Sequence, residues 1–360
     1  NPFVWYTLKE ILCDREIACD SAVLQMISAD EYQAYGTTLI NFAEKISSFS
    51  SPLAVGMSGN FRQMKRRILN IAVFRKETLY QKMRALIIYL VISAVFIGCT
   101  PILSIDASTQ NVYHFSDTDK NISLLDISET FGTYDGSFVL YDNNLDSWKI
   151  YDLEEATKRI PPESTYKIYD ALLGLESGII TPEHSSMTWN GDAFPFPSWE
   201  ADQDLNSAMQ NSVNWYFQAI DSQLGINRVQ EFLNKIEYGN QTTSSNLDLY
   251  WSDFSLKISP LEQVTLLKKF NTNEFHLNFQ NVFSVKNAIK IASTPNGNFY
   301  GKTGTGRVNG QDINGWFIGY VETSDNSYYF ATNIQSDSNA TGKKAFEITS
   351  DILKKLHIWN

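Results

Sequence analysis

Cysteine is scarce in this chain of 360 residues: Cys13, Cys19 and Cys99 are the only three, and none occurs from residue 106 onward. No disulfide framework can staple that long second part, so its own core must hold it. Histidine is as rare. His114, His184, His276 and His357 all lie beyond residue 100, which leaves the first part without an imidazole for zinc. An excess of basic residues is missing too: the formal charge is -11, which argues against a protein whose main task is to coat nucleic-acid phosphates, and no direct nucleic-acid contact is expected. There is no initiator Met and no targeting signal at Asn1-Pro2, so the sequence reads as a piece of a longer chain. With 43% hydrophobic and 19% charged residues, disorder and low-complexity arrays are excluded, and the length suffices for two domains.

The charge is unevenly distributed. Residues 1 to 84 carry 11 Lys and Arg against 8 Asp and Glu, whereas residues 85 to 360 carry 18 against 32. Between the two parts, Ala85 to Ile105 is a run of 21 residues without a formal charge. At ~1.5 Å per residue, a helix of this length covers the ~30 Å hydrocarbon layer. The preceding segment holds Arg62, Lys65, Arg66, Arg67, Arg75, Lys76, Lys82 and Arg84 against the single acid Glu77. The positive-inside bias therefore predicts a cytoplasmic part over 1–84, one membrane crossing over 85–105 and an extracellular domain over 106–360, with the bilayer as a partner. A buried core helix, or a lipoprotein signal at Gly98-Cys99, are the alternatives.

Within the first part, residues 7 to 27 have helical periodicity, and Glu16 and Asp20, four apart, share a face. Beyond the span, Phe138 to Tyr141 and Trp148 to Tyr151 flank Asn143-Asn144 and predict a hairpin. Helices are expected near 164–174, 205–224, 228–236, 260–270, 282–292 and 341–356. Strands are expected over Asn298 to Thr305, Ile313 to Glu322 and Tyr328 to Gln335. This order predicts an α+β mixed fold, one antiparallel sheet covered by helices, after a mainly helical first part.

Four short strings carry chemistry. In Ser164-Thr165-Tyr166-Lys167, after Pro161-Pro162-Glu163, the serine stands at a helix start with the lysine one turn on and within reach of its hydroxyl. A serine is a poor nucleophile unless a neighbour takes its proton, which a desolvated lysine can do. Such a string arises roughly once by chance in a chain this long. Ser212-Val213-Asn214, Tyr238-Gly239-Asn240 and Lys302-Thr303-Gly304 follow in order. The last lies in an expected strand whose lysine presents a cation to an anionic substrate, with a glycine that lets a ligand lie close.

In this order the strings resemble the penicillin-recognising serine enzymes. Phe131 to Phe138, Ser164 to Lys167, Tyr238 to Asn240, Tyr250-Trp251, Leu256 to Pro260, Lys302 to Gly304 and Gly315 to Phe317 look like a class D β-lactamase domain, covering about residues 115 to 357. That resemblance implies Ser164 as nucleophile, and Lys167, carboxylated by CO2, as general base held by the Trp251 indole. It implies substrate contacts at Ser212, Asn214, Tyr238, Trp251, Lys302, Thr303, Gly304 and Thr305, and an oxyanion hole of the Ser164 and Thr305 amides. Class D hydrolases usually have valine where Asn214 stands, and the β-lactam sensor-transducers of the BlaR and MecR group resemble the chain at that asparagine. Class D enzymes also often use an arginine near the last strand, where Lys343 and Lys344 occur here; lysine lacks the bidentate fork, so Lys302, Thr303 and Thr305 are expected to matter more.

Residues 1–6 and 13–22 look like the region after the zinc helix of the BlaR-type membrane metallopeptidase. This implies Glu16 as a zinc ligand and Asp20 as its partner, with zinc bound only in a full-length protein, because no H-E-x-x-H helix precedes them in this sequence. The resulting expectation is a membrane β-lactam receptor, acylated without efficient turnover and acting on a cytoplasmic repressor of BlaI/MecI type. The alternatives are a membrane-tethered class D β-lactamase and a cell-wall transpeptidase.

Overall fold

The computed structural model describes residues 2–47, 61–76, 78, 80, 83–84, 86–93, 111–116, 120–244, 246–248 and 250–359. Two compact units divide the chain, residues 1–100 and 101–360. Of the expected span, residues 86–93 are helical, while 85 and 94–105, with Cys99, lie outside the described residues. Among the described residues no helix is long and apolar enough to cross a membrane.

The first unit contains helices α1 (Pro2–Met26), α2 (Tyr32–Ser47) and α3 (Phe61–Ala72). Asp20 of α1, 2% exposed, joins all three: it accepts from the Tyr35 hydroxyl at 2.9 Å and from Arg67 Nε and Nη2 at 2.7 Å each. Glu16, one turn earlier, accepts from Arg15 at 3.0 Å and lies 3.7 Å from Arg67 Nη1. The basic stretch before the expected span is thus partly committed to pairing within this unit.

The second unit is built on a seven-stranded sheet. Its strands are β1 (Asn121–Leu124), β2 (Asp135–Asp142), β3 (Ser147–Tyr151), β4 (Lys290–Thr294), β5 (Gly297–Val308), β6 (Gln311–Glu322) and β7 (Ser327–Gln335), in spatial order β1-β3-β2-β7-β6-β5-β4. The expected hairpin is β2–β3, and β2 docks antiparallel on β7 from Asp135↔Gln335 to Asp142↔Tyr328, which merges hairpin and terminal meander into one sheet. The pairing is not wholly antiparallel, since β1 runs parallel to β3.

Strand alternation feeds two cores. Phe138 and Leu140 of β2, Phe317 and Val321 of β6, and Phe330 and Ile334 of β7 pack on Ala345, Ile348, Ile352 and Leu353 of the last helix, α12 (Gly342–Lys355). Val139, Tyr141, Trp316, Ile318, Tyr320 and Ala331 point the other way, into the larger core under the remaining helices. Those are α4 (Ser128–Phe131), α5 (Leu153–Thr157), α6 (Lys167–Glu176), α7 (Leu205–Gln210), α8 (Asn214–Leu224), α9 (Ile226–Ile236), α10 (Pro260–Asn271) and α11 (Phe279–Ala288) in chain order, of which α4 instead lies on the α12 side through Phe131.

Two expectations from periodicity are corrected. The helix expected over 205–224 is two, α7 and α8, because Ser212 sits at φ +56° between them. The helix expected over 282–292 ends at Ala288, and Lys290–Thr294 is an edge strand. Thr294 precedes Pro295, whose ring keeps the preceding residue out of the helical region.

Helix α10 begins with a capping box in which Glu262 accepts from the Ser259 amide at 3.0 Å and hydroxyl at 2.8 Å. The same carboxylate takes a fork from Arg159, Nε at 3.0 Å and Nη2 at 2.5 Å, with both side chains largely buried. Removing one partner strands the other charge, so Glu262→Ala is expected to cost about 3–5 kcal/mol in urea unfolding. A loss below about 1 kcal/mol would mean that Arg159 finds water instead.

Candidate active site

Pro161 and Pro162 lead into a 3-10 turn, Glu163–Tyr166, that runs directly into α6. Glu163 adopts φ +52°, a conformation that L residues rarely take, held by its amide donating to Trp251 O at 3.1 Å. The turn presents Ser164 with Lys167 behind it: Lys167 Nζ donates to Ser164 Oγ at 2.8 Å and to Asn214 Oδ1 at 2.8 Å. Asn214 opens α8, two residues after the left-handed Ser212 that separates it from α7.

Lys167 is 1% exposed. Burial, and secondly the charge of Lys302, hold its ammonium well below the usual lysine range, so the neutral amine is favoured. Its Nζ lies 4.4 Å from the Trp251 ring centre and 5.6 Å from that of Phe217. Trp251 is 3% exposed and its Nε1–H, buried beside this amine, has no acceptor. An orphaned buried donor next to a neutral amine fits a carbamate formed by CO2 on Lys167, whose oxygens would accept from it.

Strand β5 forms the opposite wall. Lys302 Nζ donates to Ser212 Oγ at 2.6 Å and to Thr303 O at 3.2 Å, and the Thr305 hydroxyl accepts from the Gly342 amide at 2.8 Å. A Cβ at Gly304 would lie 3.1 Å from Pro162 O and 3.3 Å from the Ser164 amide, so glycine lets the strand close on the serine turn. A cleft of about 520 Å³ is lined by Ser164, Ser212, Asn214, Thr303, Gly304 and Thr305.

Burial pushes Lys302 down to about 7. Its cation is present below that pH and lost above it, so capture of an anionic substrate by the free protein is expected to fall about tenfold per pH unit above pH 7. Stopped-flow rates with a fluorescent penicillin from pH 6 to 9 would test this; a flat profile above pH 7 would exclude a role for this cation in encounter.

Not all expected residues meet there. Tyr238 is fully buried and packs edge-on against Tyr166 and Tyr169 at 5.2 and 5.1 Å, so it belongs to the core behind the serine turn and cannot touch a substrate in this conformation. Trp251 lies beneath the cleft against Lys167. Lys343 is exposed and Lys344 pairs with Glu347 at 3.3 Å; neither lines the cleft.

Other residues there escaped the sequence reading. Arg307 lines the cleft with its guanidinium on Asp312 at 2.7 and 3.2 Å, and Phe196 and Trp199 form an aromatic wall. Arg307 follows Thr303 and Thr305 at intervals of two on one strand, a legible spacing, whereas the loop aromatics carry no local signal. Glu163, which marks the helix start in the sequence, is buried behind the serine turn; burial pushes its carboxyl up to about 8, although Asn314 donates to it at 3.3 Å.

Comparison with known proteins agrees with this geometry. The family described as penicillin binding protein transpeptidase domain matches residues 136–354, and BlaR1 peptidase M56 matches residues 1–71. The regulatory protein BlaR1 of Bacillus licheniformis is 42% identical over 100% of this chain and 60% of its own length. The methicillin resistance mecR1 protein of Staphylococcus aureus is 34% identical over 99% and 61%. The chain thus spans about three fifths of the length of these curated relatives. Among solved structures, the C-terminal domain of the Bacillus licheniformis BlaR penicillin-receptor is 45% identical with a TM-score of 0.65, covering 67% of this chain and 99% of that one. Class D β-lactamase BAT-2 is 36% identical with a TM-score of 0.62, covering 66% and 97%. Cleft geometry, a class D β-lactamase-like mixed fold and both family matches converge: the chain belongs to the penicillin-binding transpeptidase-domain family, in its BlaR/MecR-type group.

Proposed function

We propose that this chain is the receptor-bearing part of a membrane β-lactam sensor. The observation that carries the reading is a buried lysine nitrogen hydrogen-bonded to a serine hydroxyl on the wall of a cleft, where burial holds the ammonium well below the usual lysine range. Ser164 Oγ attacks the β-lactam carbonyl and gives its proton to the Lys167 side chain, while the Ser164 and Thr305 amides receive the developing oxyanion; the ring C–N bond then breaks, and its nitrogen takes that proton, leaving the acyl group on Ser164. Thr303 and Thr305 on the cleft wall orient the substrate carboxylate, Arg307 lies near enough to share that task, and Lys302, buried behind Ser212, contributes its charge. If carboxylated by CO2, Lys167 would be held by the Trp251 indole and would supply an anionic oxygen base that is already deprotonated at neutral pH.

Asn214 separates a receptor from a hydrolase. Its carbonyl occupies Lys167 Nζ at 2.8 Å, where it competes for the contacts that hold CO2 on the amine. With CO2 lost after acylation, no base activates water and the ester persists. Residues 85–105 cross the bilayer once in this reading, consistent with exposed apolar side chains from Leu86 to Ile92, and the second unit lies outside the cell. The signal reaches a cytoplasmic peptidase, for which Glu16 supplies a zinc ligand in a longer chain, and a repressor of BlaI/MecI type is its target.

The test is the mass of the detergent-solubilised chain at intervals over an hour after penicillin addition. A gain of one penicillin mass that persists is expected. Release in seconds would instead favour the membrane-tethered β-lactamase, the second reading that the class D likeness supports.

A further inference from the structure

Behind Lys167 lies a pair of acids to which the acylation chemistry assigns no task. Asp170 follows Lys167 by three residues on α6, on the same helical face, and Asp221 comes from α8. Both are 0% exposed. Neither oxygen of Asp170, nor Asp221 Oδ2, is reached by a hydrogen-bond donor; Asp221 Oδ1 accepts from the Tyr250 hydroxyl at 3.3 Å. The Tyr166 hydroxyl, fully buried at the start of the same helix, has no partner either.

The groups whose charge or hydrogen bonding bears on the two acids are Lys167, Tyr166, Tyr216, Tyr250 and Asp248, of which only Lys167 is a cation. Two carboxyls this dry cannot both be ionised, and in the compartment that holds the carbamate anion both stay protonated, so the pair can give up one proton and still hold the other. Burial and the mutual repulsion raise Asp170 well above the carboxylate range, and burial pushes Asp221 up to about 8.

We propose that the Asp170–Asp221 pair is the proton donor that expels CO2 from Lys167 once Ser164 is acylated. The step balances as follows. The Lys167 carbamate anion takes a proton from the acid pair onto its nitrogen; the N–C bond breaks, its electrons stay on nitrogen, and neutral CO2 leaves. Lys167 is then an amine and the pair carries the negative charge that the carbamate carried before. The compartment's net charge is unchanged, which matters because burying an extra charge at this depth would cost several kcal/mol. The anion left on the pair also opposes return of CO2 as a second anion beside it. Asn214 then takes the hydrogen bond of the freed amine.

This inference rests on the receptor reading, and its test separates the two. The full chain in detergent is loaded with 13C-bicarbonate, and the carbamate carbon is followed by 13C NMR before and after saturating penicillin, alongside mass spectrometry of the acylated protein. In the wild type the signal is expected to vanish on acylation. In Asp170→Asn and, independently, Asp221→Asn, which keep size but lose the acid, at least half of it is expected to persist. Two variants guard against one failing to fold, and an unchanged thermal midpoint identifies a usable one. Loss of the carbamate to the same extent in wild type and variants, or its retention in the acylated wild type, would overturn the proton-donor assignment. A wild type that never gains the penicillin mass would overturn the receptor reading itself.

Discussion

Ser164→Ala is expected to abolish covalent capture of penicillin, leaving the protein's mass unchanged after an hour at saturating drug. The effect is large because Ser164 is the cleft hydroxyl that meets Lys167, whereas the Ser212 hydroxyl meets Lys302, still a cation below about pH 7, and the Thr305 hydroxyl accepts from a backbone amide. Lys167→Ala should keep the serine but slow acylation by about 10²–10⁴, the usual range for loss of a general base. Persistent labelling of Ser164→Ala by a fluorescent penicillin would dismiss this cleft as the site of capture.

The second large effect concerns release. Asn214→Val removes the acceptor 2.8 Å from Lys167 Nζ and supplies no polar atom in its place. Lys167 then has one competitor fewer for the CO2-derived group, and Trp251 Nε1 is available to hold it. Deacylation is expected to accelerate by roughly 10²-fold, at the low end of general-base catalysis, while acylation changes little. The rate at which the protein's mass returns to its original value measures this directly. An acyl-enzyme as durable as the wild type's would move the cause of persistence away from Asn214.

What could be read in advance follows from the range of each interaction. Ser164 and Lys167 are one helical turn apart, so their contact depends on helix geometry alone once Pro161-Pro162 mark the start. The terminal meander was legible for a similar reason, with β5, β6 and β7 separated by short turns and alternating between two cores. The short edge strands β1 and β4 were not. Each is largely exposed, so neither has the apolar pattern that marks a buried strand, and each exists because a neighbour offers it a free edge. Tyr238 misled because a turn-forming Gly-Asn after it suggests a surface position, whereas its ring fills the core between Tyr166 and Tyr169.

The electrostatics required the folded chain. Lys302 meets Ser212 across 90 positions and Lys167 meets Asn214 across 47, and no local spacing encodes either. The low proton affinities of both lysines, and the raised affinities of Glu163, Asp170 and Asp221, come from removal of water by elements distant in sequence. Sequence by itself determined the hairpin, the terminal meander, most of the helices, the serine–lysine register and the family resemblance, because short-range sterics and periodicity decide those. Only the tertiary structure decided which ionisable groups share one dry compartment, since desolvation is a property of everything packed around a group and of nothing in its immediate chain neighbourhood.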